Sequence, residues 1–129
     1  MSLKFLVVDD SLTMRRIVVN ALKSIGYETI IEAADGKEAF AKLQSESADF
    51  VISDWNMPEM NGLELVKAIR ASSGFSDLPV LMVTTRGNKE DVIEAMQARV
   101  NNYIIKPFTP QALKDKLDQI LKLAPVAKT

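Results

Sequence analysis

The residues here with the types and spacing to do chemistry stand just past short apolar runs. Phe50-Val51-Ile52-Ser53 ends at Asp54, and Trp55-Asn56-Met57-Pro58 follows, its proline barring regular structure from continuing. Leu3 to Val8 ends in the same way at Asp9-Asp10-Ser11. Val80 to Val83 gives way to Thr84-Thr85, and Tyr103-Ile104-Ile105 to Lys106-Pro107. Carboxylates are seldom buried without a partner, so Asp54 at the end of a buried strand is a functional candidate by itself. Taken singly, the others have plainer uses. One of Asp9, Asp10 and Ser11 serves as a helix N-cap, Thr84 fills a strand, Lys106 is solvated and Tyr103 packs in a core.

As a set they specify a chemistry. Three carboxylates brought close repel, by about 4 kcal/mol for a pair at roughly 4 Å and an effective dielectric of about 20. Either one takes up a proton or a divalent cation sits among them. An all-oxygen donor set suits Mg²⁺, which keeps several waters and bridges to phosphate. A lysine and a threonine hydroxyl suit the oxygens of a phosphoryl group. The set points to acid, magnesium and phosphate.

Composition narrows the chemistry further. The chain has no cysteine and no histidine, which removes disulfides, thiol catalysis, thiolate metal sites and the commonest general base. Its 129 residues, 47% of them hydrophobic, suffice for one domain with a real core. No run is long and apolar enough to span a membrane, and no charged-then-apolar leader is present, so a cytoplasmic protein is expected. Residues 1 to 64 carry six basic against eleven acidic residues, net −5, and residues 65 to 129 carry ten against six, net +4. Solvated helices account for that asymmetry, and nothing suggests a nucleic-acid stripe.

The positioning elements alternate. After the first strand, Leu12, Met14, Ile17, Val18, Ala21, Leu22 and Ile25 recur at helical spacing until Gly26 stops the helix. Thr29 to Ala34 reads as a second strand, Asp35-Gly36 as a turn, and a helix follows with Ala39, Phe40 and Leu43 inward. The third strand, Phe50 to Ser53, leads through the Met57-Pro58 loop to a helix from about Leu63 to Arg70, with Leu63, Val66 and Ile69 inward. Val80 to Thr84 is the fourth strand, and a helix around Glu90 to Ala98 is expected to bury Val92, Ile93 and Met96. The fifth strand, Tyr103 to Ile105, precedes a helix capped by Thr109 with Pro110 at its first position and a stripe of Leu113, Leu117, Ile120 and Leu121. Residues 1–124 form the expected domain and 125–129 a flexible tail. Five strand–helix units with apolar strands imply a parallel sheet covered on both faces. The fold class is α/β, a flavodoxin-like (βα)5 three-layer sandwich. Its prior strand order, 2-1-3-4-5, reverses between strands one and three, the two that end in aspartates.

Asp9-Asp10, Asp54, Thr84 and Lys106-Pro107 resemble the receiver domain of response regulators in two-component signalling. Lys4 to Asp10, Thr13 to Ile17, Ser53 to Pro58, Leu81 to Thr84 and Lys106 to Thr109 are similar to the single-domain chemotaxis regulators of the CheY type. The likeness covers essentially the whole chain.

The resemblance implies a regulatory phospho-acceptor rather than an enzyme, promoting only its own phosphotransfer and dephosphorylation. A histidine kinase donates a phosphoryl group to Asp54. Asp10, Asp54 and the backbone carbonyl of Asn56 ligate Mg²⁺, with Asp9 acting through water. Thr84 and Lys106 grip the phosphoryl oxygens, and Tyr103 swings inward behind Thr84. The face of helix four, strand five and helix five then docks on the flagellar motor switch; here it carries Arg86, Lys89, Arg99, Lys114 and Lys116. A phosphatase is a further partner, and a monomer is expected. Asn56, Thr85 and Arg86 are candidates for tuning dephosphorylation. Thr85 stands where the family has a small residue and Arg86 where glutamate is common, which suggests a longer-lived phosphoprotein. Arg99 occupies a position where glycine is common, and a left-handed conformation there would leave the end of helix four soft.

Rival readings are weaker. An aspartate-nucleophile hydrolase of the haloacid dehalogenase kind carries a second aspartate two residues on, where this chain has Asn56. A flavodoxin proper needs a phosphate loop after strand one, where Asp9-Asp10 would repel phosphate without a metal. Within the receiver family, a phosphate sink or a regulator of a circuit other than motility stays open.

Overall fold

Residues of alternate parity along each strand enter different cores. The computed structural model describes residues 3–57, 59–85 and 89–123; Pro58, Arg86 and the proposed tail lie outside them. The elements are β1 (Lys4–Val8), α1 (Leu12–Ser24), β2 (Thr29–Ala33), α2 (Gly36–Ser45), β3 (Phe50–Asp54), α3 (Gly62–Arg70), β4 (Val80–Thr84), α4 (Lys89–Gln97), β5 (Asn102–Ile105) and α5 (Pro110–Leu123). All strand pairs are parallel, in the order β2-β1-β3-β4-β5. Phe5, Val7, Phe50, Ile52, Leu81 and Val83 pack with Val18, Leu22, Leu113 and Leu117 of α1 and α5. Leu6, Val8, Val51, Val80 and Met82 pack with Ala39, Leu43, Leu65, Val66 and Ala95 of α2, α3 and α4. A strand buried on both faces needs no polar alternation, which is why these runs are continuously apolar.

Side-chain caps fix where the helices begin. Ser11, not an aspartate, caps α1, its Oγ accepting the Met14 amide at 3.2 Å. Asp35 caps α2 by accepting the Glu38 amide at 2.8 Å, so Asp35-Gly36 opens the helix and is not a separate turn. Asn61 and Glu64 form a reciprocal capping box at the start of α3. Thr109 Oγ1 accepts the Ala112 amide at 3.0 Å, as the sequence implies.

Two helices end in the same backbone motif. At the end of α1, Tyr27 N donates to Leu22 O and Gly26 N to Lys23 O, with Gly26 at φ 108°. After α4, Val100 N donates to Ala95 O and Arg99 N to Met96 O, with Arg99 at φ 69°. The left-handed residue is therefore Gly26 in one case and Arg99 in the other. The second end is the left-handed Arg99 that the sequence raised, and it carries additional polar contacts from a neighbouring helix. Arg70 of α3 donates from Nε and Nη2 to Arg99 O at 3.2 and 2.8 Å. Its Nη1 reaches Ser76 O at 3.0 Å and Leu78 O at 2.6 Å, and Nη2 also reaches Asn101 Oδ1 at 3.0 Å. Burial and the neighbouring Arg99 charge lower the Arg70 pKa, and its carbonyl partners hold it in place.

Helix α4 departs from the sequence pattern. Ile93 and Met96 are 46% and 43% exposed, whereas Ala95 is buried and Val92 half-buried. Residues 92, 93, 95 and 96 make an apolar arc wider than the contact, and periodicity does not say which half of it meets the sheet. The half bearing small Ala95 does. Leu12 and Ile17 of α1 likewise lie outward, at 56% and 46% exposure. Among the described residues, no helix is long and apolar enough to cross a membrane.

The Arg70 clamp and the Arg99 conformation predict opposite mutational signs. Arg70→Met leaves several carbonyls without their charged donor and should destabilise by about 2–3 kcal/mol. Arg99→Gly removes a left-handed Cβ and should stabilise by roughly 1 kcal/mol. Denaturant midpoints at unchanged slope measure both, and a glycine variant no more stable than the parent would show that the position carries no strain.

Candidate functional site

The strand order brings the predicted residues together at the carboxyl edge of the sheet. β1 and β3 are neighbours, with Val8 in register with Ser53, so Asp9-Asp10 and Asp54 leave adjacent strands at the same level. Asp54 is in register with Val83, and Thr84 with Ile105, which carries the edge across to Lys106. The Lys106 amide donates to Thr84 O at 2.8 Å, and the Lys106–Pro107 peptide is cis.

Asp9, Asp10 and Asp54 each offer a carboxylate oxygen, and these atoms lie within 4.8 Å of one another. Asp9 and Asp54 are buried and Asp10 is exposed. Lys106 Nζ stands 3.0 Å from Asp54 Oδ1 and 3.6 Å from Asp9 Oδ2. Burial pushes the Asp54 pKa above the ordinary carboxylate value, and Asp9 pushes it the same way. The Lys106 hydrogen bond and charge, with the Trp55 amide, oppose that rise without cancelling it. One lysine thus leaves the cluster short of positive charge. The donor set is all oxygen, partly open at Asp10, and fits a hard divalent cation.

The loop after Asp54 is held at both ends by glycines. The Gly62 amide donates to Trp55 O at 2.8 Å, and a Cβ on Gly62 would strike Asp54 O and come within 2.9 Å of Met82 Sδ. The Gly36 amide donates to Met60 O at 3.0 Å, and a Cβ there would strike that same oxygen. Sequence reasoning reads Gly36 only as part of a turn and does not single out Gly62, although a glycine at the first position of a helix is a weak signal of close approach. Trp55, next to Asp54, is buried among the α2–α4 core residues.

The remaining predicted residues divide by position. Thr84 is buried at the strand end, while Thr85 and Asn56 are exposed. Tyr103 is half-buried against the α2–α4 core, with Lys116 Nζ 5.5 Å from its ring centroid. Arg86 lies outside the described residues.

The sequence and the fold match those of known proteins. Residues 5–118 match the response regulator receiver domain model. The chain is 56% identical over 120 residues to chemotaxis protein CheY1 of Helicobacter pylori, covering 92% of this chain and 97% of that protein. It is equally identical to the CheY homolog of Campylobacter jejuni, over 92% of each chain. The crystal structure of Vibrio cholerae CheY4 superposes with a TM-score of 0.86 at 41% identity, over 93% of this chain and 99% of that one. The chain belongs to the response regulator receiver family. Within it, this receiver is of the CheY type, and its five-stranded sheet is the flavodoxin-like sheet of its structural neighbours.

The elevated Asp54 pKa gives this receiver a defined pH dependence. The folded state holds the Asp54 proton more tightly than the unfolded chain, so ionised Asp54 costs stability at neutral pH. That cost disappears as pH falls through the folded pKa towards the ordinary carboxylate range. In chelator, Asp54→Asn should therefore melt above the parent at neutral pH, with the gap closing on acidification. Parallel Tm–pH curves would show that Lys106 fully compensates the burial.

Proposed function

We propose that this receiver is a chemotaxis regulator that accepts a phosphoryl group on Asp54 from a histidine kinase. The observation that carries the reading is Lys106 Nζ, which reaches Asp54 and Asp9 together beside exposed Asp10. Asp54 is the nucleophile. The phosphorus–oxygen bond to it forms as the phosphorus–nitrogen bond of the donor breaks, and the departing imidazole nitrogen keeps the electron pair and takes a proton. The chain needs no histidine base, because positioning and charge neutralisation carry such a transfer. Asp10, Asp54 and the main-chain carbonyl of Asn56 would hold Mg²⁺, with Asp9 acting through water. Bound there, such an ion would supply the positive charge that the acidic cluster lacks during phosphoryl transfer. Lys106 exchanges its carboxylate partners for a phosphoryl oxygen, and the Thr84 hydroxyl donates to another.

Output runs through α4, β5 and α5. Exposed Ile93, Met96 and Ile105 give that region apolar contacts, and Lys114 and Lys116 add positive charge. Tyr103 lies between Lys116 and the core, a position that supports a role in coupling the phosphoryl state to that region. Reversing a two-state element from 1:99 to 99:1 takes about 5.5 kcal/mol, and a doubly charged group on Lys106 and Thr84 supplies part of it. The relatives' role in chemotaxis makes the flagellar motor switch the partner of choice. Thr85 and Arg86 are placed in sequence to slow hydrolysis of the phosphoprotein or alter a phosphatase contact.

Incubation with Mg²⁺ and acetyl phosphate should add one phosphoryl group by intact mass, lost in Asp54→Asn and in excess chelator. Thr84→Ala should still gain the mass but bind a motor-switch peptide less tightly. No gain in the parent protein would overturn the acceptor reading. Gain without phosphorylation-dependent peptide binding would overturn the motor partner and favour a phosphate sink.

A further inference from the structure

Asp9 is held from behind by a cation that the site chemistry does not use. Arg15, in the first turn of α1, donates from Nη1 to the Asp9 main-chain carbonyl at 2.7 Å and from Nε to Glu32 Oε1 at 2.9 Å. Glu32 belongs to β2, and Arg16 Nε also approaches it, at 3.8 Å. The Arg15 side chain is only 15% exposed. Its partners are thus the backbone of one cluster member and a glutamate on the neighbouring strand.

Every polar group of Asp9 is engaged. Its amide donates to Ala33 O at 3.1 Å, and its Oδ1 accepts the Ser11 amide at 2.9 Å. Its Oδ2 faces Lys106, and its carbonyl accepts from Arg15. That carbonyl belongs to the peptide plane joining Asp9 to Asp10. Because the plane is rigid, fixing its oxygen fixes the direction in which the chain enters Asp10. Asp10, the exposed acid of the cluster, takes its bearing from that plane. Glu32 sets Arg15 in turn, and the planar guanidinium lets one side chain serve both partners.

We infer that Arg15 is a positioning residue for the acidic cluster, acting through the Asp9–Asp10 peptide with Glu32 as its anchor. The inference rests on the reading that the cluster takes Mg²⁺. Positioning and bare charge predict opposite outcomes. As a nearby cation, Arg15 opposes binding of Mg²⁺, so on charge alone its removal would tighten the site. As a strut, its loss loosens the site, and groups that orient metal ligands typically account for roughly 10–100-fold in affinity.

Calorimetric titration of the whole chain with Mg²⁺ alone decides between them. Arg15→Lys keeps the charge but offers a single point donor, and it should raise the dissociation constant for Mg²⁺ roughly tenfold. Arg15→Met should weaken binding at least as much despite removing a positive charge. Metal-free circular dichroism melts establish that each variant is folded at the titration temperature. Should the methionine variant unfold, the lysine variant carries the test alone. Unchanged affinity in Arg15→Lys, or tighter binding in Arg15→Met, overturns the inference. Absence of binding by the parent protein overturns the metal reading itself, and the positioning role with it.

Discussion

The structure depends on keeping three carboxylates close together when their charges drive them apart. Asp9 and Asp54 are taken out of water, Asp10 stays in it, and Lys106 is the cation that touches two of them. Burial and mutual repulsion both raise the cost of ionised Asp54, and one ammonium group leaves a remainder. Such a cluster relaxes unless the fold forbids it. Adjacent parallel strands forbid it here, because β1 and β3 share a register that delivers their terminal acids to the same edge. The charge distribution that results is unfavourable to ionised Asp54, and a further positive charge at the cluster would relieve it.

The local chain supports this arrangement by leaving the acids free for it. Ser11 takes the capping role at α1, so neither Asp9 nor Asp10 is used up as the cap, and Asp9 accepts the Ser11 amide while still facing Lys106. Beyond Asp54, the backbone closes in at two positions where no side chain fits, Gly62 against Asp54 O and Gly36 against Met60 O. Helices α2 and α3 therefore begin in contact with the backbone that follows Asp54, and both are capped by side chains. The backbone that leaves Asp54 is thereby fixed by close approaches that tolerate no added side chain.

Much of this is legible in the sequence because strand ends are. Continuous apolar runs mark strands buried on both faces, and the residue that breaks each run marks the edge, so Asp9, Asp54, Thr84 and Lys106 can be placed from the residue order alone. Rotational phase is not legible. In α4 the arc from Val92 to Met96 is apolar on more sides than the sheet can cover, and only packing selects Ala95 over Ile93 and Met96. Long polar side chains are illegible for a different reason. Arg15 and Arg70 look like solvated helix residues, and their roles come from carbonyls on Asp9, Ser76, Leu78 and Arg99 that no spacing rule brings near them. The Arg99 conformation can be suspected from sequence, but the clamp that holds it cannot.

That clamp bears on how α4 is held against the sheet. α3 buries Leu63, Leu65, Val66 and Ile69, whereas α4 buries only Ala95 among its described residues. Apolar burial contributes about 25 cal/mol per Å², so α4 is held to the sheet far less strongly than α3. Segments with little buried apolar area sit at the low end of local stability. The distal end of α4 is nevertheless tied, through Arg99 O, to Arg70 and thence to the start of β4. The helix is thus weakly packed along its described length and held by polar contacts at the end remote from Thr84. The polar clamp and the poor apolar contact are therefore complementary, since directed hydrogen bonds hold α4 in place where burial alone holds it weakly.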